Sequence, residues 1–178
     1  MLRGLACAWI LAGLGACGRS GDAALAARGE IDPTAPVIAH ASLAIDAPPA
    51  IVWALLTDID HWPDWQPGID KASIVVPAHG AAAPGVRFDW STGSVTIHSR
   101  IAALVPRQRL AWTGRMLLFR AVHCWRLTAL PHGGTLVATD ESLSGWPVAW
   151  LISSRSLTET DQDWLASLAK AALSRKRD

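Results

Sequence analysis

Between Lys71 and Leu143 the chain divides into six short runs: Lys71–Val76, Val86–Trp90, Ser94–Leu104, Arg109–Arg115, Leu118–Leu130 and Thr135–Leu143. Turn formers such as Ser91-Thr92-Gly93 and Pro131-His132-Gly133-Gly134 separate them, so the runs read as strands. Connections this short close antiparallel hairpins and leave no room for parallel crossovers. An earlier run carries Val37, Ala39, Ala41, Leu43 and Ile45 on one parity and stops at Pro48-Pro49, which adds a strand before the six. Pro49 suits the first turn of a helix whose apolar stripe is Val52, Leu55, Leu56 and Ile59. From Gly145 the period becomes helical, through Val148, Leu151, Ile152, Leu165, Leu168, Ala169 and Ala172. The middle of that region, SSRSLTETDQD, is polar apart from Leu157. It allows two helices separated at a Thr158/Asp161 capping box, or one long helix whose small polar face looks into a cavity. Strands followed by a terminal helix give an α+β class.

The connector HWPDWQPG, His61 to Gly68, holds two tryptophans and two prolines. Proline interrupts a regular ladder and pushes the preceding residue toward extended geometry, so the segment reads as a bent connection whose rings pack on another part of the fold.

At the amino end, MLRGLACAWILAGLGAC places Arg3 before an apolar run too short to span a bilayer but long enough for the core of an export signal. Leu14-Gly15-Ala16-Cys17 resembles the bacterial lipobox, which implies removal of residues 1–16 and acylation of Cys17; ordinary signal cleavage after Ala16 is the alternative. Two or three acyl chains satisfy the requirement that stable anchoring needs more than one tail. Gly18 follows, where the inner-membrane retention signal prefers Asp, so the resemblance implies a cell-envelope location, at the outer membrane of a Gram-negative host. Residues 17–36, rich in small residues and without hydrophobic periodicity, read as a lipid-anchored flexible tether. With Cys7 in the signal and Cys17 acylated, Cys124 is left as a single buried thiol with no disulfide partner.

The stretch IDAPPAIVWALLTDIDHWPDWQPGI, with RLAWTG, HCWRLTAL, GGTLVATDESLSG and WLASLAK in that order, resembles the START-like, or SRPBCC, superfamily of polyketide cyclase/dehydrase-like proteins. The resemblance covers about residues 37–175. It implies a helix-grip fold: a curved antiparallel sheet of about seven strands around a long C-terminal helix, with two short helices after the first strand and a cavity between sheet and helix. Trp62 and Trp65 would then cap one end of the core.

Strand parity sorts the candidates for chemistry. In Ser94–Leu104 the apolar face is Val95, Ile97 and Ile101, which turns His98 and Arg100 to solvent. In Leu118–Leu130, Ala121, His123, Trp125 and Leu127 share the inward face and Cys124 points away, so His123 and Cys124 do not form a nucleophile pair. The last strand is ambiguous by pattern. The resemblance implies that Thr135, Val137, Thr139 and Glu141 face the cavity, where Glu141 and His123 could meet as a structural ion pair, a handle for a ligand head group, or an acid and base. Phe88, Trp90, Trp112 and Trp125 would line such a hollow with apolar surface. Ligand binding is thus expected at Phe88, Trp90, Trp112, His123, Trp125, Val137, Thr139 and Glu141.

No cofactor is expected, because the chain has no P-loop, Rossmann glycine run or nucleophile elbow. No metal is expected either, since His123 and Glu141 make two ligands where zinc takes three or four. A formal charge of +1 gives nucleic acid no electrostatic footprint. The expected activity is binding of a hydrophobic small molecule, such as a lipid, isoprenoid or polyketide, by a membrane-anchored protein. The alternatives are a cyclase, dehydratase or hydrolase using His123 and Glu141, and a protein-interaction module whose cavity is filled by its own tryptophans.

Overall fold

The computed structural model describes residues 21–77 and 80–177, so the expected signal 1–16 and Cys17 lie outside the described residues. Each run read as a strand forms one: β1 (Val37–Ile45), β2 (Lys71–Val76), β3 (Arg87–Thr92), β4 (Val95–Val105), β5 (Arg109–Met116), β6 (Phe119–Ala129) and β7 (Thr135–Ser144). They build one sheet in the order β1-β7-β6-β5-β4-β3-β2. All pairings are antiparallel. Four hairpins, from β3 to β7, follow from the short turns, a fifth joins β2 to β3 through the longer connection 77–86, and the remaining pairing brings the first strand back beside the last.

Helix α2 (Pro49–Thr57) carries proline in its first turn and buries Val52, Leu55 and Leu56. The tryptophan connector is more regular than a bent loop, because Ile59–Asp64 forms a 3-10 helix with Pro63 inside it. Trp62 is wholly buried, edge-on to Phe88 at 5.5 Å and to Trp164 at 5.3 Å. Its indole N–H donates to the Leu56 carbonyl at 3.1 Å, which satisfies the polar end of a ring otherwise held by apolar surface. Trp65 packs beside the same group, 5.8 Å from Trp164. The connector therefore fills one end of the space between sheet and terminal helix.

The terminal region is a single turn, α3 (Val148–Leu151), followed by α4 (Ser154–Arg175), a helix of 22 residues. The break falls at Ile152-Ser153, where Ser153 and Ser156 cap each other reciprocally, and not at Thr158. The polar stretch is thus the start of one long helix. Its buried stripe is Leu157, Asp161, Trp164, Leu165, Leu168 and Ala172, so a carboxylate occupies a position in a row of apolar side chains.

The segment expected as a tether belongs to the fold from residue 21 onward. Residues 21–28 form a helix, α1, that lies on the outer face of the sheet. Ala26 is fully buried there with Ala103, Ala111, Val122 and Cys124, and Ile31 packs against the group. Asp22 pairs with Arg120 at 3.0 Å, Arg109 Nη1 donates to the Arg28 carbonyl at 2.8 Å, and the Asp32 amide donates to Ser142 Oγ at 3.1 Å. The physical reason lies in the strands: β4, β5 and β6 present small apolar side chains outward, which stay in water unless something covers them. Among the described residues no helix is long and apolar enough to cross a membrane.

Candidate functional site

Register aligns three side chains across the concave face. Trp112 on β5 lies opposite His123 on β6, and His123 lies opposite Glu141 on β7. The His123 ring sits 4.6 Å from the Trp112 ring and stacks on Trp125 at 5.4 Å. His123 Nδ1 is 3.7 Å from Glu141 Oε2, and Nε2 is hydrogen-bonded with Thr139 Oγ1 at 2.7 Å. From the other wall, α4 brings Asp161 Oδ1 to 3.9 Å from His123 Nε2. Asp161 is 1% exposed, and neither of its carboxylate oxygens has a hydrogen-bond partner.

Burial governs the protonation of this cluster. It pushes His123 down to about 3, leaving the imidazole neutral at ordinary pH. Burial, reinforced by the neighbouring Asp161 charge, holds Glu141 well above the usual carboxylate range. Asp161 is pushed up to about 7, first by burial and then by the Asp140 charge. Cys124 points through the sheet to the other side, with its thiol 3.5 Å from the Glu30 carbonyl. Burial raises it to about 12, so it is no partner for His123.

A cavity of about 210 Å³ opens onto this cluster. The sheet contributes Trp90, Ile97, Trp112, His123 and Glu141, and the helix side contributes Ile152, Leu157, Asp161 and Trp164. Its exposed edge includes Thr92, Arg115 and Thr160. The hollow is smaller than the ~300–1,000 Å³ typical of drug-sized ligand sites, and it is apolar except at the floor and at the mouth. A larger depression of about 580 Å³ lies elsewhere, lined by Asp89, His98, Arg87 and Arg100. His98 there is exposed and paired with Asp89 at 2.9 Å, which fits its expected place on the outer face.

Of the eight residues expected to bind ligand, Trp90, Trp112, His123 and Glu141 line the cavity. Phe88, Trp125, Val137 and Thr139 share the concave face but are wholly buried. Phe88, Trp125 and Val137 belong to the solid core packed by Trp62 and Trp164, while Thr139 holds His123. Tryptophans thus fill the inner part of the space and leave the outer part open. Asp161 was absent from the expected set, although its helical spacing from Leu157 and Leu165 puts it on the buried stripe.

The family model described as polyketide cyclase / dehydrase and lipid transport matches residues 36–173. The chain belongs to that family. The hypothetical protein jhp0584 of Helicobacter pylori shares its fold at a TM-score of 0.70 and 18% identity, covering 97% of this chain and 99% of that one. A START superfamily protein of Mycobacterium smegmatis aligns at 0.59 and 13%, covering 78% and 95%. Protein CV1439 of Chromobacterium violaceum aligns at 0.61 and 18%, covering 77% and 97%. A search of the curated proteins finds no match. The START-like helix-grip architecture of the family is therefore the architecture of this chain, and the family suggests a fold that binds hydrophobic ligands.

Proposed function

We propose that the protein is an envelope lipoprotein, anchored through Cys17, that takes a compact hydrophobic molecule, or one end of a longer one, from the membrane into the cavity beneath α4. The observation that carries this reading is the clustering of three features at one end of the sheet. The first is the cavity, whose lining includes Met116, Phe119 and Arg120 of the β5–β6 hairpin. The second is an apolar rim. Leu117 and Leu118 at the hairpin tip are 94% and 65% exposed, and Trp146, Trp150 and Leu151 are 70%, 80% and 69% exposed. Gly145 brings the two groups together, since a Cβ there would meet the Leu118 carbonyl, and the Trp146 and Trp150 rings pack at 5.8 Å. The third is the point where the chain arrives, marked by the Asp22–Arg120 pair. Cys17 precedes Asp22 by five residues, a reach of at most about 18 Å. An anchor at that distance keeps the rim against the bilayer, where exposed tryptophans are at home.

The test is mass spectrometry of small molecules that co-purify with the full-length protein. A bound apolar compound is expected in the wild type and is lost in Ile97→Trp, which fills the hollow. Trp146→Ser/Trp150→Ser lowers its occupancy and the binding of the protein to vesicles. An empty wild-type cavity, or equal occupancy in all variants, overturns the reading. A second reading is an enzyme, favoured by the position of Asp161 near 7 beside a neutral imidazole, the range in which a general acid or base works best. Turnover lost in His123→Ala and Glu141→Gln, with compound binding retained, would support it.

A further inference from the structure

The floor of the cavity carries an imidazole and two carboxylates from three different elements: His123 on β6, Glu141 on β7 and Asp161 on α4. One nitrogen or oxygen atom from each lies within 4.8 Å of the others. Asp161 is the side chain that asks for a partner. It is 1% exposed, lines the cavity, and has no hydrogen bond to either oxygen. A buried carboxylate in that state is costly unless a cation or donor reaches it, and among the described residues no lysine or arginine does so. Arg115 and Arg120 are the cations of the cavity wall; Arg115 stands at the exposed edge and Arg120 is held by Asp22.

We propose that His123, Glu141 and Asp161 bind a divalent transition-metal ion, Zn²⁺ or Mn²⁺. A mixed nitrogen and oxygen donor set suits both ions, and two carboxylates cancel the double positive charge in a buried place. Tetrahedral ligands about 2.1 Å from zinc stand roughly 3.4 Å apart, so the three side chains need to close in by about an ångström. The hydrogen bond between His123 Nε2 and Thr139 Oγ1 leaves Nδ1 for the metal on the Glu141 side, and Asp161, whose Oδ1 lies on the Nε2 side at 3.9 Å, has to swing past the ring edge to join them. A hydroxyl on the far nitrogen is the kind of support that orients a metal-bound imidazole. Three protein ligands leave a coordination position that opens to the cavity, where an oxygen of the bound molecule would complete the shell. The inference rests on the cavity of the proposed function but needs neither the anchor nor the membrane.

The test is calorimetric titration of full-length, detergent-solubilised protein, stripped by a chelator, with Zn²⁺ and with Mn²⁺. One-to-one binding and a metal-dependent rise in Tm are expected for at least one ion. Both are lost in Asp161→Asn and in Glu141→Gln, and Thr139→Val weakens binding by about 10- to 100-fold. His98→Ala, remote from the cluster, leaves binding unchanged. The metal-free Tm of Asp161→Asn, at or above that of the wild type, shows that loss of binding is not loss of fold. Absence of binding in the wild type, or binding that survives both carboxylate substitutions, overturns the proposal. A wild type that holds an apolar compound but binds neither ion in the titration removes the metal site alone, and a wild type that binds the ion but holds no compound removes the proposed function alone.

Discussion

In chelator-treated protein, replacing Asp161 by Asn changes how stability depends on pH. The Asp161 carboxyl moves from an ordinary value of 3.8 to about 7 in the folded state. Between those values the folded protein keeps a proton that the unfolded chain has released, so this group lowers stability as pH rises from about 4 to about 7. Above 7 both states are ionised and the loss is complete. A shift of roughly three pH units at about 1.4 kcal/mol each amounts to about 4 kcal/mol. Asn has the size of the protonated acid and cannot ionise. The two proteins are therefore expected to match near pH 4, with the variant about 4 kcal/mol more stable at pH 8. His123, displaced from 6.5 to about 3, acts in the opposite sense, since the unfolded chain takes up a proton below 6.5 that the folded one refuses. Its contribution raises stability with pH across that window, and raised Glu141 lowers stability from about its ordinary 4.5 upward. His123 remains in both proteins and cancels in the difference, whereas Glu141, which the Asp161 charge helps to raise, moves back toward its ordinary range in the variant and adds to the variant's gain at high pH. Urea unfolding followed by tryptophan fluorescence from pH 4 to 8 measures it. Parallel curves, or a variant that is weaker at pH 8, would refute the argument.

Gly145→Ala places a methyl group on the Leu118 carbonyl at a backbone φ of +117°; a loss of about 1–3 kcal/mol in urea unfolding is expected, with weaker vesicle binding as the hairpin shifts. Trp62→Ala, in a wholly buried position, should cost about 3–5 kcal/mol. Trp150→Ala, 80% exposed, should change stability by no more than about 0.5 kcal/mol. Cys124, buried with its thiol raised to about 12, should resist a thiol reagent at pH 8 in the native protein and react once Ala26→Asp lifts α1 from the sheet.

Strand order was readable because each break between Lys71 and Leu143 carries turn chemistry, and parity placed His123 and Cys124 on opposite faces. Parity assigns a face but not a height along it. Phe88 and Trp125 share the concave side with Trp90 and Trp112, and only the packing of Trp62 and Trp164 decides which of them border a hollow. Asp161 was legible as the fourth residue after Leu157, but Thr158 and Asp161 also stand at capping-box spacing, and that local pattern competes with the helical stripe. The cap formed at Ser153 instead, because a helix start is set by where the preceding turn leaves the sheet. Helix α1 left the weakest trace. Its reason for folding lies in Ala103, Ala111, Val122 and Cys124, far along the chain.

The covering of the outer face by α1 sets the boundary for handling this domain in isolation. Family likeness begins at residue 36, and a fragment cut there would lack residues 21–35. It would turn a strip of small apolar side chains and a free thiol to water on β4, β5 and β6. Such a strip on a sheet invites a second molecule, and the exposed sulfur could then crosslink the pair by air oxidation. A soluble form that begins at residue 21 keeps the sheet closed on both sides, and it is the shortest version whose oligomeric state would reflect that of the intact protein.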